Sequence, residues 1–344
     1  MILSLKPEVS IILPFRNAGE TIRECMNSIL AQSYPDWELI AIDDHSTDTS
    51  AEIIRGYSHE DSRIKCLNTP GVGIAEALNF GVEKANSGII ARMDSDDLMR
   101  STRLEEQLKY LTQKPAVDLV SSEVLQISDM AEGKSIGYGL YVDWTNHLHS
   151  HREISDNRFV DSPFAHPSVV FRKTSFTRYG PYRKGEFPED YEMWLRWLHR
   201  GAKMEKINKV LLEWRDSPNR LSRIAREYSK QAFQSVKAKY FSRWLNQHLK
   251  EDLSLSAWGT GKIARKQARL LSHFGIMPNR FYEVDPKKIG GFVDNAPIKS
   301  IREMGSPDSE FVVGLTGSRG AREKIVTFLE NRGFARGVNY MLLA

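Results

Sequence analysis

Residues 89–97 read Ile-Ile-Ala-Arg-Met-Asp-Ser-Asp-Asp, so an apolar, β-branched start leads directly into three carboxylates. The apolar part predicts a short buried strand. Asp94, Asp96 and Asp97 would then lie at the carboxyl end of that strand, where ligands bind in open α/β sheets. Because neighbouring carboxylates repel one another, we expect a cation among them. Oxygen ligands favour a hard divalent ion, Mg²⁺ or Mn²⁺.

A second interpretation of the same carboxylates is structural. An acidic turn can be solvated and can precede a helix, and Thr102 followed by Glu105 has the pattern of a capping box. The two interpretations are compatible, since Thr102 can cap the helix while Asp94 and Asp96 face a ligand.

Length and composition restrict the class of protein. A chain of 344 residues is expected to hold two domains, and a hydrophobic fraction of 41% suffices for buried cores. The formal net charge is +4 with Lys and Arg spread along the chain, which argues against a nucleic-acid partner. Cys25 and Cys66 are predicted to be buried thiols in a reducing compartment. Residues 1–10 lack the pattern of a signal peptide, and no apolar run reaches about 18 residues, so no membrane span is expected.

Strands and helices alternate over the first part of the chain. Predicted strands at 9–14, 38–42 and 63–67, the last of them weaker, precede the strand that begins at Ile89, and apolar residues recur at helical spacing between them. This alternation predicts a mostly parallel, doubly wound sheet. The acidic segment 43–48 follows the second strand, so two acidic strand ends would share one edge of the sheet.

Four motifs occur in a specific order, namely residues 9–17 (VSIILPFRN), 42–48 (IDDHSTD), 73–81 with Ala77 and Asn79, and 90–97 (IARMDSDD). In this order and spacing they resemble the nucleotide-binding half of the family 2 glycosyltransferases. The resemblance implies the GT-A nucleotide-diphospho-sugar transferase fold, an α/β architecture with a doubly wound mixed sheet. It also implies an inverting, metal-dependent transfer of sugar from a nucleotide-sugar donor.

The resemblance assigns residues to the donor side of the site. Those implied to line the nucleotide pocket are Pro14, Arg16, Asp44 and Asp94. A carboxylate such as that of Asp44 can accept a hydrogen bond from a base N–H or a ribose hydroxyl. Asp96, together with Asp94, is implied to bind Mn²⁺ or Mg²⁺. Many members have Arg where this chain has Leu78, so a donor-phosphate contact is not expected from that position.

Glu189 and Asp190 begin a predicted helix that ends near Gly201. Two acidic residues at a helix N-terminus favour the helix dipole on structural grounds alone. Their position matches the Glu-Asp motif of the family, which implies that Asp190 is the general base and that Glu189 orients the acceptor. The helix N-terminus is expected to keep Asp190 ionised. The chain lacks the Gln-x-x-Arg-Trp of processive synthases, which favours addition of a single sugar.

Three segments between and after these motifs are less specific. Residues 126–162 carry little pattern and are expected to form a long lid or substrate loop. Residues 164–172 predict a strand that enters the acceptor side, where His166 either approaches the phosphates or acceptor or is a buried structural histidine. Residues 214–222 resemble the closing segment of the family, with Ser217 where relatives have His.

The predicted boundaries are 1–222 for the GT-A domain, 223–250 for a basic amphipathic helical linker and 251–344 for a small Rossmann-like α/β domain. A basic, aromatic helix can lie on an anionic membrane, although such helices more often pack against their own domain. In the last segment a strand precedes the two glycines, and an acidic residue lies about twenty residues beyond them, as in a dinucleotide-binding fingerprint. These residues are Gly259, Gly261 and Asp285. The segment is too short for the complete fold, so a structural or partner-binding remnant is favoured over an NAD(P) site.

Together the patterns predict an inverting, metal-dependent glycosyltransferase that adds one sugar to a glycan or lipid-linked acceptor in cell-surface polysaccharide or lipopolysaccharide assembly. The expected location is the cytoplasm, including peripheral sites on the inner face of the plasma membrane, and a homo-oligomer is compatible with the sequence. Two alternatives remain open: a catalytically decayed nucleotide-sugar-binding scaffold, and a bifunctional protein with an NAD(P)-binding tail. The intact Asp94, Asp96 and Asp190 argue against the first.

Overall fold

The computed structural model describes residues 6–128, 136–218, 220–317 and 320–344. The chain divides into two compact units. The first comprises Met1–Ile154 and Pro163–Tyr228, and the second comprises Ser155–Ser162 and Ser229–Ala344.

The first unit is built on one mixed sheet. Its strands are β1 (Val9–Phe15), β2 (Trp37–Asp43), β3 (Ile64–Asn68), β4 (Ile89–Arg92), β5 (Leu98–Met99), β6 (Leu119–Ser128), β7 (Val170–Arg172) and β8 (Met204–Asp216). Its helices are α1 (Ile22–Leu30), α2 (Ser50–Glu60), α3 (Ile74–Lys84), α4 (Arg103–Gln113), α5 (Ile136–Asn146), α6 (His151–Asn157, which continues into the second unit), α7 (Lys173–Tyr179), α8 (Glu189–His199) and α9 (Leu221–Ile224).

The order of strands in this sheet is β3-β2-β1-β4-β7-β6-β8-β5. Strands β1 to β4 pair in parallel, β7 runs antiparallel to both β4 and β6, and β5 runs antiparallel to β8. The predicted doubly wound mixed α/β sheet is therefore confirmed. Because β1, β2 and β4 are parallel, their carboxyl ends meet at one edge, which brings the two acidic segments to the same side of the sheet.

Helices cover both faces of the sheet. Ile11 and Leu13 of β1 enter the core on one face, whereas Ile12 enters the core on the other, since successive side chains of a strand point to opposite faces. The second core also contains Trp194 and Trp197 of α8, both fully buried. Burial of one large apolar side chain contributes about 1.5–3 kcal/mol. The acidic segments that follow β2 and β4 lie outside these two cores, at the carboxyl edge of the sheet.

The segment 126–162, predicted as a long loop, instead contains α5 and α6, while its residues 129–135 lie outside the described part of the chain. The sequence of α5 has a weak helical pattern because Gly137 and Gly139 interrupt it. The helix packs against β6, and the ring of its Tyr138 lies 4.7 Å, centroid to centroid, from that of Trp214. Tertiary packing therefore forms a helix that local propensity does not predict.

Three smaller predictions are also wrong. Thr102 directly precedes α4, but its side chain makes no capping hydrogen bond within the described residues, and Glu105 accepts a hydrogen bond from Ser33 Oγ (2.8 Å) instead. The strand predicted over 164–172 begins with a 3-10 turn, His166–Ser168, because Pro167 cannot donate to a ladder. Cys25 is buried as expected, whereas Cys66 is partly exposed.

The second unit has its own sheet. Its elements are α10 (Lys230–His248), β9 (Ser254–Trp258), α11 (Lys262–Ser272), β10 (Arg280–Glu283), β11 (Phe292–Val293), β12 (Ala296–Ser300), β13 (Glu310–Gly314), α12 (Ala321–Asn331) and β14 (Tyr340–Leu342). The strand order is β11-β12-β10-β9-β13-β14, with β11 antiparallel to β12 and the other pairs parallel. This sheet is more extensive than the short tail was expected to form.

Helix α10 belongs to the second unit and does not form an independent linker. Its Tyr240 and Trp244 are buried, and Lys237 Nζ donates to the carbonyl oxygens of Val160 (2.7 Å) and Leu343 (3.1 Å). The aromatic residues of this helix therefore pack inside their own unit, the arrangement that was favoured over contact with a membrane. In the part of the chain that the structure describes, no helix combines the length and apolarity that crossing a membrane requires.

Candidate functional site

Three carboxylates converge after β4. Oxygens of Asp94, Asp96 and Asp97 lie within 4.8 Å of one another. Asp97 is 1% exposed, and its Oδ1 accepts a hydrogen bond from the backbone N–H of Arg215 (2.8 Å). Its Oδ2 is buried and has no hydrogen-bond partner among the described residues. An unpaired buried carboxylate oxygen is costly, so the cluster fits either a proton or a cation.

Protonation of the cluster follows from burial. Burial and the neighbouring Asp94 raise the pKa of Asp96 to about 6. Burial, Asp96 and Asp94 raise the pKa of Asp97 well above its usual range. A divalent cation would reverse both shifts, since it favours the charged form of each carboxyl. The donor set of three carboxylates suits Mg²⁺ or Mn²⁺.

Two arginines border the cluster, Arg215 near the end of β8 and Arg220 directly before α9. Arg215 Nε donates to the carbonyl oxygen of Asp96 (2.9 Å). The guanidinium of Arg220 lies 4.2 Å from the ring centroid of Trp214, and burial lowers its pKa while the charges of Asp97 and Asp96 raise it. This cation was not singled out from the sequence, where only the resemblance of the segment 214–222 pointed to it.

Asp44 holds a loop in place. Its Oδ1 accepts hydrogen bonds from Thr69 Oγ1 (2.6 Å) and the N–H of Val72 (2.8 Å), and its Oδ2 accepts one from the N–H of Gly73 (2.9 Å). The carboxylate therefore already has partners in this structure, and a nucleotide would use its remaining lone pairs or displace one of them.

The other residues predicted for the nucleotide pocket differ in exposure. Pro14 is buried in β1 and pairs in register with Ile42 of β2, while Arg16 follows the strand and is exposed. Asn17 has a positive φ of 52°, and its side chain accepts a hydrogen bond from the N–H of Thr47 (2.8 Å). Leu78 of α3, where many relatives carry Arg, is buried in the second hydrophobic core.

A second polar group gathers at the start of α8. Glu189 is buried, and its Oε2 accepts a hydrogen bond from the hydroxyl of Tyr228 (2.5 Å). Its Oε1 lies 3.7 Å from Nδ1 of His166, whose Nε2 lies 2.9 Å from the Tyr182 hydroxyl. Asp190 accepts a hydrogen bond from the N–H of the next residue (2.6 Å). His166 is thus a buried, hydrogen-bonded member of this group.

The pKa values of this second group contradict one expectation. Burial first and Glu189 second raise the pKa of Asp190 to about 8, although the helix N-terminus was expected to keep this carboxyl ionised. Burial also raises the pKa of Glu189 and lowers that of His166 well below its usual range. The dipole of one helix terminus is a small effect beside desolvation of two adjacent carboxyls. A pKa near 8 suits a group that accepts a proton near neutral pH.

Arg92 is a charged residue of the site that the sequence patterns did not reveal. It ends β4, is 2% exposed and forms an ion pair with Asp94. The available signal was an arginine inside an apolar run, directly before an acidic cluster. A buried charge requires a partner of opposite charge, and the acidic cluster supplies one.

A family model described as glycosyl transferase family 2 matches residues 10–180. Over 228 residues the chain is 30% identical to the putative glycosyltransferase EpsE of Bacillus subtilis (strain 168), covering 65% of this chain and 78% of that protein. The chain belongs to glycosyl transferase family 2. It is also 29% identical over 219 residues to the O-antigen biosynthesis glycosyltransferase WbnJ of Escherichia coli, covering 62% of this glycosyltransferase and 82% of its relative.

A solved structure supports the fold. The S. aureus TarS 1–349 complex with UDP-GlcNAc matches this glycosyltransferase with a TM-score of 0.55 at 16% identity, covering 78% of this chain and 71% of TarS 1–349. At that identity the likeness concerns the fold, which is the GT-A fold expected from the motifs.

The glycines predicted for a site in the tail of this glycosyltransferase have different surroundings. Gly259 has a φ of 116°, and a Cβ there would lie 2.3 Å from Thr316 Oγ1, so packing and backbone conformation require glycine. Gly261 precedes α11 and has room for a Cβ. Asp285 lies beyond the end of β10, and its Oδ2 is 3.7 Å from Lys288 Nζ. The carboxylate at the end of β10 is that of Glu283, which accepts a hydrogen bond from the hydroxyl of Thr260.

Proposed function

We propose that this glycosyltransferase moves one sugar, with inversion, from a nucleotide-sugar donor to an acceptor hydroxyl and that it requires Mn²⁺ or Mg²⁺. The observation that carries the proposal is the presence of two carboxylate groups at one sheet edge. One group follows β4 and the other begins α8. Donor binding and proton removal need two such groups, and the ion-paired Arg92 interacts electrostatically with members of both.

On the donor side, Asp94 and Asp96 would hold the divalent ion, with the Oδ2 of Asp97, which has no partner among the described residues, as a further oxygen. When bound, the ion offsets the charge that develops on the leaving nucleoside diphosphate. The base and ribose would contact Pro14, Arg16 and Asp44.

On the acceptor side, Asp190 takes the proton of the acceptor hydroxyl. The hydroxyl oxygen then bonds to the anomeric carbon as the bond from that carbon to the nucleotide phosphate breaks, so a single displacement inverts the configuration. Glu189, held by Tyr228, orients the acceptor. His166 has no role in this scheme beyond holding Glu189 and Tyr182 in place.

The setting that we propose is the assembly of a cell-surface glycan on the cytoplasmic side of the membrane, with a glycan or lipid-linked acceptor. The relationship to an O-antigen biosynthesis glycosyltransferase supports this class of product. A peripheral contact with the membrane would use a surface other than the aromatic face of α10, which is packed inside the second unit.

Binding and turnover test the proposal together. The melting temperature is measured with UDP-, GDP-, CMP- and dTDP-sugars, each with and without MnCl₂, and with NAD⁺ and NADP⁺. Nucleotide release is then followed for the donor that gives the largest shift. We expect Mn²⁺-dependent stabilisation by one class of nucleotide-sugar and turnover of that donor.

The other outcomes identify the alternatives. Binding without turnover, with any acceptor or with water, would indicate a decayed scaffold. Stabilisation by NAD⁺ or NADP⁺ that Gly261→Val abolishes would indicate a bifunctional protein. No response to any nucleotide-sugar would contradict the proposed function.

A further inference from the structure

Asn79, a residue of the motif at 73–81, has no part in the reaction scheme above, yet its side chain makes a distinctive contact. Asn79 Oδ1 accepts a hydrogen bond from the N–H of Tyr182 (3.0 Å), and Asn79 Nδ2 donates one to the carbonyl oxygen of Tyr182 (3.0 Å). An amide side chain offers one acceptor oxygen and two N–H donors, so both of its ends are used here. Two bonds to the same residue fix the orientation of that stretch of backbone as well as its position.

Helix α3, which carries Asn79, is anchored in the nucleotide half of the site. The helix begins after Gly73, whose N–H donates to Asp44 Oδ2 (2.9 Å). A Cβ on Gly81 of the same helix would lie 2.6 Å from Ile12 Cγ2, so the helix backbone lies directly on β1. Asn79 therefore has a fixed place relative to the end of the strands that carry the nucleotide pocket.

The hydroxyl of Tyr182 extends this contact to the acceptor half of the site. It lies 2.9 Å from His166 Nε2, and both side chains are buried. The His166 ring contacts the rings of Tyr182 and of Trp194 in α8, with centroid distances of 5.4 and 5.9 Å. Its Nδ1 lies 3.7 Å from Oε1 of Glu189, the first residue of α8. A continuous path of contacts thus leads from Asn79 to Glu189.

The tautomer of His166 determines what this path presents to Glu189. Burial lowers the pKa of His166 well below its usual range, so the ring is neutral near neutral pH and has a proton on one nitrogen only. If the Tyr182 hydroxyl donates to Nε2, that proton is on Nδ1 and faces Glu189. The other tautomer would turn a lone pair toward the carboxylate. At 3.7 Å the contact is longer than a hydrogen bond, and such contacts often shorten when substrate binds.

We propose that Asn79 and Tyr182 are positioning residues of the acceptor half: Asn79 fixes the Tyr182 backbone, and the Tyr182 hydroxyl holds His166 in the tautomer whose Nδ1–H faces Glu189. Glu189 is thereby held where it orients the acceptor hydroxyl, whose proton passes to Asp190. The inference rests on the proposed function and adds two residues to it. Since the path begins on α3, it ties the geometry of the acceptor half to that of the nucleotide half.

NMR of the protein labelled with ¹⁵N histidine reads the tautomer directly, and His166→Gln assigns the signals of this ring among the nine histidines. We expect the wild-type ring to be protonated at Nδ1. Asn79→Ala and Tyr182→Phe should each shift it toward a mixture of tautomers. Asn146→Ala is the matched control, because the Asn146 amide makes the same pair of bonds to the backbone of Val124 (3.0 and 2.9 Å) in the same unit. It should leave the His166 signals unchanged.

A double-mutant cycle measures the consequence for the reaction. The probe is nucleotide release with water in place of the acceptor, from the donor that the wild type uses best among UDP-, GDP-, CMP- and dTDP-sugars. Asn79→Ala should lower the turnover number about tenfold in the wild type and much less in the Tyr182→Phe background, with the donor dissociation constant within about twofold in both. Asn146→Ala should lower the melting temperature by a similar amount and leave turnover nearly unchanged.

A wild-type His166 protonated at Nε2 would overturn the inference. Equal losses of turnover from Asn79→Ala in both backgrounds, or equal losses from Asn79→Ala and Asn146→Ala, would overturn it as well, because they indicate residues that only support the fold. If Asn79→Ala does not fold, as judged from its thermal unfolding, Tyr182→Phe alone is judged by the same tautomer and turnover criteria.

Failure of the proposed function gives a different result. A wild type that turns over no nucleotide-sugar would overturn the proposed function, and this inference with it. A wild type that turns over its donor, with His166 signals unchanged in Asn79→Ala and Tyr182→Phe, would overturn this inference alone.

Discussion

The hydroxyl of Tyr228 donates a hydrogen bond of 2.5 Å to the buried carboxylate of Glu189. Tyr228 ends the short 3-10 segment Arg226–Tyr228, while Glu189 is the first residue of α8. The bond thus ties the last segment of the first unit to the group that we expect to face the acceptor. Hydrogen bonds to charged groups are worth more than those between neutral groups.

Tyr228→Phe should therefore destabilise the protein and raise the KM for the acceptor. Loss of a partner for a buried carboxyl is expected to lower the free energy of unfolding by about 1–3 kcal/mol. It should also raise the pKa of Glu189 further, because the Tyr228 hydrogen bond lowers that pKa. Urea unfolding and acceptor titration measure the two effects. Tyr57→Phe is the control, since its hydroxyl bonds to Asn27 at an exposed position. Equal losses from both substitutions would contradict this role of Tyr228.

Asp96→Asn should abolish the Mn²⁺-dependent part of nucleotide binding. In the metal-free protein it should maintain or increase stability at pH 7, because burial and Asp94 raise the pKa of Asp96 and so disfavour its charged form. Calorimetry with UDP- and GDP-sugars, with and without MnCl₂, measures the first effect, and thermal unfolding measures the second. The exposed Asp36, changed to Asn, serves as the control. Tight Mn²⁺-dependent binding by Asp96→Asn would remove this residue from the metal site.

Activity should rise with pH through a midpoint near 8. The folded-state pKa of Asp190 is raised to about 8, so the proton-accepting form increases as the pH passes that value and is lost below it. The sign for stability is opposite, since an acid with a raised folded pKa contributes less stability as the pH rises from about 4 to 8. The pH dependence of kcat/KM for the free enzyme measures the midpoint. A midpoint that is unchanged in Asp190→Asn would assign it to another group.

Apolar strand patterns and acidic strand ends predicted the α/β sheet, whereas the GT-A fold and most residues of the candidate site were implied by the resemblance to family 2 glycosyltransferases. The rest depends on contacts between distant residues. Helix α5 has interrupting glycines and forms through packing against β6 and Trp214. The raised pKa of Asp190 results mainly from burial, which cannot be inferred from its position at a helix N-terminus. Arg92 falls within an apolar run, and the run itself does not show that this residue is buried and ion-paired with Asp94.

The two glycines of the tail should differ in stability. Gly259→Ala should lower the free energy of unfolding by about 1–3 kcal/mol, because its φ of 116° and the nearby Thr316 hydroxyl both oppose a Cβ. Gly261→Ala should have a small effect, since its φ is −68° and a Cβ there meets no described atom within 4 Å. Thermal unfolding of the two variants makes the comparison. A larger loss at Gly261 would indicate that this loop has a different conformation.

Asp190→Asn tests the central claim most directly, because asparagine keeps the size of the side chain but cannot accept a proton at neutral pH. The turnover number for sugar transfer and the donor dissociation constant are measured for this variant and for Glu189→Gln. General-base catalysis contributes about 10²–10⁴-fold, so we expect a loss of that order in Asp190→Asn with donor affinity nearly unchanged. Glu189→Gln should lose less, mainly through acceptor affinity. Near-wild-type turnover in Asp190→Asn, or a collapse confined to Glu189→Gln, would contradict the assignment of Asp190 as the base.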